Sequence, residues 1–465
     1  MTLIASISGI RGTIGGRPGQ GLTPFDIIRF TSAFATWALH QEHPSVEKPS
    51  MVVGRDARIS GDMVESLVCQ VLRSMGIDVY RAGLATTPTV EIAVPLKGAI
   101  GGIIVTASHN PAEWNALKLL NRDGEFISAE EGNEVLLLAG QDLFDYSPVD
   151  KLGRIQDQDF LEEHIRQIIR HPLVDLKAIK RAGFRVVVDP INSVGAIAIP
   201  ALLKALGVED TKVINGEPNG HFAHNPEPLP EHLVELSKEV VRFHAHLGIS
   251  VDPDVDRLAL VSEDGSFFGE EYTLVAVADY VLANGKGAVV SNLSSSRALR
   301  VVAERHGCEA FAAPVGEVNV VAEMKKRDAV IGGEGNGGVI FPSLHFGRDS
   351  LIGVALFLSH LARNGLKMTE LRKTYPNFFM AKHKIELPRK VKVTDVLNHV
   401  ADLYRDYPQN STDGLKVDFP HQWFHLRKSN TEPIIRIYTE SSSSEAAEKL
   451  AGLIERDIKT FVNNC

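Results

Sequence analysis

Cysteine is scarce in this chain: Cys69, Cys308 and Cys465 are the only three among 465 residues. They lie far apart and form no CxxC pair, which excludes a disulfide framework and suits a reducing compartment. Basic residues are also in short supply, with 49 Lys and Arg against 58 Asp and Glu, a net charge of −9. That balance leaves no electrostatic footprint for nucleic acid or an anionic membrane. An anionic ligand must therefore be met by local positive charge. The apolar run 99–107 falls far short of the ~20 residues that span a bilayer. The opening MTLIASISGIRG lacks the basic segment and long apolar stretch of a secretion signal. These absences point to a soluble cytoplasmic protein with neither a nucleic-acid nor a membrane partner.

What is present is ordinary for globular domains: 44% hydrophobic and 23% charged residues, enough for several cores. The length allows about three or four domains. Three units repeat one plan of apolar strand, polar loop and helix. They start at Met51-Val52-Val53, Val186-Val187-Val188 and Ala288-Val289-Val290, and their helices are expected over 62–75, 196–206 and 296–306. Such alternation indicates α/β domains with parallel or mixed sheets. Beyond Tyr375-Pro376-Asn377 the order changes. Strands are expected over 382–387, 423–426 and 434–439, with helices ending near Tyr404 (N-cap Thr394) and over 444–461. This reads as a small α+β domain. The expected division is 1–155, 156–262, 263–375 and 376–465.

Four segments carry chemistry. Thr106-Ala107-Ser108-His109-Asn110-Pro111 follows the strand-like Ile103-Ile104-Val105. Pro111 fixes its own φ and keeps Asn110 out of the helical region, so the loop has a defined shape. It sets the Ser108 hydroxyl at the mouth of a sheet, where open α/β folds bind ligands; His109 and Lys118 can supply protons or charge. A plain Ser/Thr turn would use the same residues. Asp252-Pro253-Asp254-Val255-Asp256-Arg257 follows the strand-like 247–251. Three carboxylates at spacing two repel one another unless a hard cation joins them, and Mg²⁺ suits an all-oxygen set. An EF-hand is excluded by Arg257 at its sixth position and by strand flanks, although Glu263 stands twelfth. A D-x-D-x-[TV] phosphatase motif fails at Asp256. Gly332-Gly333-Glu334-Gly335-Asn336-Gly337-Gly338 offers hydrogen bonds to sugar hydroxyls; it equally suits a phosphate or a turn, but is not GxxxxGK[ST]. His345, just beyond, is a candidate proton carrier or a structural histidine. Arg427-Lys428-Ser429-Asn430-Thr431-Glu432-Pro433 with Arg436 combines guanidinium forks and hydroxyls as a phosphate cradle does, or forms a charged turn.

In this order, SGIRG at 8–12, TASHNP at 106–111, DPDVDR at 252–257, GEGNG at 333–337 and RKSNTEP at 427–433, the segments resemble the α-D-phosphohexomutase superfamily across almost the whole chain. The resemblance implies four domains around a central cleft, the first three alike and α/β, the fourth α+β. It implies a phosphoryl group on Ser108, and one Mg²⁺ held by Asp252, Asp254, Asp256 and the serine. Arg257 would serve the transferring phosphoryl, and His109 and Lys118 the proton transfers. Glu334 and Asn336 would contact sugar hydroxyls. Arg427, Ser429, Asn430, Thr431 and Arg436 would hold the distal phosphate, with Arg11 also at the substrate. The implied reaction interconverts a hexose 1-phosphate and 6-phosphate through a hexose 1,6-bisphosphate, in a monomer or homodimer.

The chain departs from the family in its sugar loop. Many relatives have Ser where Asn336 stands and His where Gly338 stands, and Ala312-Ala313-Pro314-Val315-Gly316 lacks the Thr usual before Val-Gly. His345, seven residues beyond Gly338, is the candidate to take over part of the missing histidine's role. The expected substrate is glucosamine phosphate, with glucose or mannose phosphate, alone or together, as the alternative. Rival functions are a phosphatase with Asp252 as nucleophile and a non-catalytic sugar-phosphate binder.

Overall fold

The computed structural model describes residues 3–6, 9–41, 48–388, 390–428 and 434–463. Four β-sheets organise it. Three share a core topology. In the first domain, strand Ser50–Arg55 pairs in parallel with Asp78–Leu84 on one side and Gly101–Val105 on the other. Gly101–Val105 then turns back into the antiparallel Trp114–Leu120. The second domain repeats this with Arg185–Asp189, Asp210–Val213, Leu247–Val251 and Leu258–Ser262. The third does so with Val289–Asn292, Ala310–Ala313, Ile331–Glu334 and Gly338–Ile340. The first sheet continues past Trp114–Leu120 with Gly9–Thr13 and the edge strand Leu3–Ser6, and past Asp78–Leu84 with the edge strand Ile155–Asp157. The central strands carry buried apolar runs, Met51-Val52-Val53, Val186-Val187-Val188 and Val289-Val290, as strands covered on both faces by helices do.

In each of these domains one connection joins the third core strand to the antiparallel fourth. Those three connections hold 106–113, 252–257 and 335–337, so the three chemical loops occupy one topological position. The fold therefore brings together segments that are far apart in sequence.

The fourth domain is a five-stranded antiparallel sheet, with outer strands Phe379–Glu386 and Gln409–Asn410. Helices Val393–Leu403 and Ser444–Asn463 bury Val396, Val400, Leu450, Ile454 and Ile458 against it. Thr394 is not the cap expected from sequence: the cap is Lys392, two residues earlier, and Thr394 lies inside the first turn. The second and third domains share one large core, although each also has a smaller apolar cluster of its own. Helix Ser350–Asn364 is buried almost all round, and its Leu351, Val354, Phe357 and Leu358 join one apolar cluster that runs from Ile165 to Tyr375. A helix apolar on every face must be covered on every face.

Candidate active site

The Ser108 loop is held from beneath by one arginine. Arg58 is buried and spends all five guanidinium donors. Nε donates to Asp56 Oδ2 (3.1 Å), Nη1 to the carbonyls of Pro111 (2.6 Å) and Trp114 (3.0 Å), and Nη2 to those of Ser108 and Asn110 (both 2.6 Å). Asp56 also accepts from Thr106 Oγ1 (2.6 Å), which in turn accepts from Ser108 N (2.9 Å). These contacts sustain φ = 48° at Ser108, a left-handed value unusual for a residue with a side chain.

So held, Ser108 Oγ donates to Asp252 Oδ2 (2.6 Å), and His109 Nδ1 lies 3.4 Å away. Asp252 Oδ1 accepts from the amides of Asp256 (3.1 Å) and Arg257 (3.0 Å). The turn that aims these amides places buried Val255 at φ = 64°, which is strained for a β-branched residue. Asp252, Asp254 and Asp256 are fully buried, and one oxygen of each lies within 4.8 Å of the others. Asp254 Oδ1 and Asp256 Oδ1 have no hydrogen-bond partner. Burial first, then Asp256 and Asp254, pushes the Asp252 carboxyl well above the usual range. Burial also opposes ionisation of Asp256, but Arg348, Lys118 and Arg257 outweigh it and hold its pKa low. Orphaned oxygens on three converging carboxylates fit a hard divalent cation.

Lys118 Nζ donates to Asp254 Oδ2 (2.7 Å) and Asp256 Oδ2 (3.2 Å). Burial works against its charge, but these carboxylates prevail and keep its pKa above the ordinary amine range. His109 behaves oppositely: burial, then Arg257, lowers its pKa to about 2, so the ring is neutral. Arg257 Nη1 reaches Glu227 Oε1 (3.3 Å), while its buried Nε has no partner.

The 252–257 loop meets the 335–337 loop directly, since Leu258 N donates to the Gly337 carbonyl (3.0 Å). Arg348, to which the sequence reading gave no role, joins them through side chains. Its Nη2 donates to Asp256 Oδ2 (2.7 Å), Nη1 to Glu334 Oε2 (3.3 Å) and Nε to Glu317 Oε2 (2.9 Å). Glu334 Oε1 accepts from Asn292 Nδ2 (2.9 Å) and Gly316 N (3.1 Å), and Asn336 Oδ1 accepts from Gly338 N (3.3 Å). A Cβ at Gly338 would lie 2.4 Å from Arg348 Cδ. The arginine thus fills the space a side chain at 338 would need.

The other expected residues are spread more widely. His345 lies beside Asp349, Glu91 and His164 rather than in the hydrogen-bond network of Ser108. Arg427 Nε donates to Asp413 Oδ2 (2.8 Å), which also accepts from Val315 N (2.9 Å) and so links the fourth domain to the third. Arg11 has a buried, unpartnered Nε, and burial together with the charge of Arg436 lowers its pKa. The two guanidiniums, from opposite ends of the chain, feel each other's field, as anion-binding arginines do. Ser429, Asn430 and Thr431 lie outside the described residues. Arg58 and Asp56 were visible in sequence only as the polar loop after Val53; an Asp-x-Arg pair directly after a strand was the available signal.

Known proteins match this chain over nearly its full length. Residues 4–141, 162–265, 269–378 and 384–456 match, in turn, the α/β/α domains I, II and III and the C-terminal domain of phosphoglucomutase/phosphomannomutase. A phosphoglucomutase/phosphomannomutase of Thermococcus kodakarensis is 36% identical over 94% of this chain and 96% of its own. A probable phosphoglucosamine mutase of Methanopyrus kandleri is 33% identical, covering 95% of each chain. Among solved structures, a phosphoglucomutase/phosphomannomutase family protein of Burkholderia thailandensis superposes with a TM-score of 0.84 at 26% identity, over 98% of this chain and 97% of that one. The chain belongs to the phosphoglucomutase/phosphomannomutase family of the α-D-phosphohexomutase superfamily, metal-dependent phosphohexomutases of the isomerase class. Among the described residues no helix is long and apolar enough to cross a membrane.

Proposed function

We propose that this phosphohexomutase interconverts glucosamine 1-phosphate and 6-phosphate, with Ser108 as phosphoryl carrier and a hexose 1,6-bisphosphate as intermediate. The observation that carries the mechanism is the Ser108 hydroxyl, held 2.6 Å from Asp252 within the buried carboxylate triad. The sugar rests on the relatives: several that are 32–34% identical bear the name probable phosphoglucosamine mutase. The Thermococcus relative's name favours glucose or mannose phosphate as the second reading.

Asp252, Asp254 and Asp256, with the Ser108 oxygen, would hold Mg²⁺, which when bound supplies positive charge at the transferring phosphoryl group. The chain's own residues do the rest. In the first half-reaction the P–Oγ bond of phosphoserine breaks and a bond from phosphorus to the sugar hydroxyl oxygen forms. The hydroxyl proton leaves, and Ser108 Oγ regains one. In a loose transition state the attacking hydroxyl keeps its proton until late, so a weak base suffices; neutral His109, beside Oγ, is the candidate acceptor. Lys118 keeps its proton and acts as a fixed charge, and Arg257 meets the phosphoryl oxygens from its unpartnered edge. Glu334 and Asn336 orient the sugar. Arg11, Arg427 and Arg436, with Ser429, Asn430 and Thr431, would grip the distal phosphate, whose binding energy positions either end of the sugar. After the bisphosphate turns over, the same steps run in reverse.

The test is isomerisation of glucosamine, glucose, mannose and N-acetylglucosamine phosphates by wild type and Ser108→Ala, with Mg²⁺ and a bisphosphate activator. Fastest turnover of glucosamine phosphate, lost in the variant, is expected. Faster turnover of glucose or mannose phosphate would replace the substrate assignment. Turnover surviving in Ser108→Ala would overturn the mechanism.

A further inference from the structure

The first three domains bring side chains to one buried point apart from the Ser108 loop. Helix Thr87–Leu96 supplies Thr89 and Glu91, helix Leu161–Arg170 supplies His164, and the segment after strand Gly338–Ile340 supplies His345 and Asp349. His164 Nε2 lies 2.9 Å, and His345 Nε2 3.3 Å, from the same oxygen, Asp349 Oδ2. Bonds of ~2.0–2.1 Å to a tetrahedral cation set its ligand atoms roughly 3.3 Å apart. Asp349 Oδ1 is already engaged, capping its helix through the amides of Leu351 (2.8 Å) and Ile352 (3.3 Å). Only Oδ2 faces the rings.

The outer partners follow the pattern of metal-bound imidazoles. A ring ligating through Nε2 carries its proton on Nδ1 and needs an acceptor there. His164 Nδ1 lies 3.0 Å from Thr89 Oγ1, and His345 Nδ1 lies 3.5 Å from Glu91 Oε2. Glu91 is an independent sign. It is 1% exposed, and neither carboxylate oxygen has a hydrogen-bond partner. A carboxylate buried this way demands a partner, and the Nδ1–H of a metal-bound His345 would supply one.

We propose that His164, His345 and Asp349 form a second divalent-metal site, distinct from the aspartate triad, with water in the fourth position and Thr89 and Glu91 orienting the rings. Two imidazoles and one carboxylate select Zn²⁺ or a cation like it, whereas Mg²⁺ prefers oxygen. Ligands from the second and third domains, and ring-orienting groups from the first, make the ion a tie across all three. His345 is then a metal ligand rather than a proton carrier.

The test uses the whole protein, stripped with chelator and then saturated with Mg²⁺ so that the aspartate triad is filled. Titration with Co²⁺ is expected to show about one ion per chain with the strong visible bands of a tetrahedral nitrogen-containing site. Zn²⁺ should abolish those bands, and His164→Gln should lose them. Weak six-coordinate bands alone, or strong bands unchanged in His164→Gln, would overturn the proposal. Should that variant fail to fold, X-ray absorption of the Zn²⁺-loaded wild type decides. Two imidazoles in the first shell support the site, and an all-oxygen shell overturns it.

Discussion

Arg348 donates to three carboxylates, Asp256, Glu334 and Glu317, from one buried guanidinium. Lys cannot reproduce that fork. Removing it leaves buried charges uncompensated, a loss of roughly 3–5 kcal/mol in comparable sites. Arg348→Met is therefore expected to lower the denaturant midpoint and to depress kcat, because the loops carrying Asp256 and Glu334 lose their shared anchor. Gly338→His, which restores the residue many relatives carry, is expected to lower activity, since its Cβ would collide with Arg348. Combined with Arg348→Ala, the two losses are expected to be less than additive, and a double-mutant cycle measures that coupling. No coupling would mean that the arginine does not occupy the histidine's space. For His109, burial and Arg257 set a pKa of about 2, so kcat/KM should show no inflection from this ring between pH 5 and 8. An inflection that disappears in His109→Gln would contradict a neutral His109. Arg348 was hard to find from sequence because its role depends on the absence of a side chain ten residues away, across a hairpin.

At the scale of elements, each chemical loop is a short strand-to-strand connection stiffened from outside. Arg58 performs this for the Ser108 loop, and Arg58→Lys replaces a planar fork of five donors with a point charge of three, which cannot reach all five contacts. With Ser108 as the proposed phosphoryl carrier, its displacement by ~1 Å costs about 10²-fold in rate, so kcat should fall by roughly that factor with little change in KM. Behind the 335–337 loop, Glu271 is half-buried, and a Cβ at Gly335 would lie 2.0 Å from its Oε1. Burial raises its pKa from 4.5 to about 8. The folded state therefore binds an extra proton between those values. That contribution to stability is complete below pH 4.5 and is lost as pH rises through 8. Glu271→Gln should flatten the fall in denaturant midpoint between pH 5 and 8 relative to wild type; an identical slope would refute the assignment. The loops themselves were legible because each is a compact run of functional groups after an apolar strand. The stiffeners were not, since Arg58 acts on residues 50 positions away.

For the molecule as a whole, the repeated strand-loop-helix plan exposed three similar α/β domains and a distinct fourth. It did not expose the shared core of the second and third domains, because the apolar face of helix Ser350–Asn364 does not say which domain covers it. Nor did it expose the His164–His345–Asp349 cluster, whose members are joined only by the packing of three domains. The Arg427–Asp413–Val315 link places a candidate phosphate-gripping arginine at the junction of the third and fourth domains. Asp413→Ala is expected to free Arg427 and weaken the orientation of the fourth domain, raising KM for the phosphosugar more than it lowers kcat. The central claim is that Ser108 carries the phosphoryl group, and the most direct measurement is peptide mass mapping after incubation with Mg²⁺ and a hexose 1,6-bisphosphate. One phosphoryl group on the Ser108 peptide of wild type, absent from Ser108→Ala, is the expected result; phosphate on another residue, or active enzyme with an unmodified Ser108 throughout turnover, would contradict it.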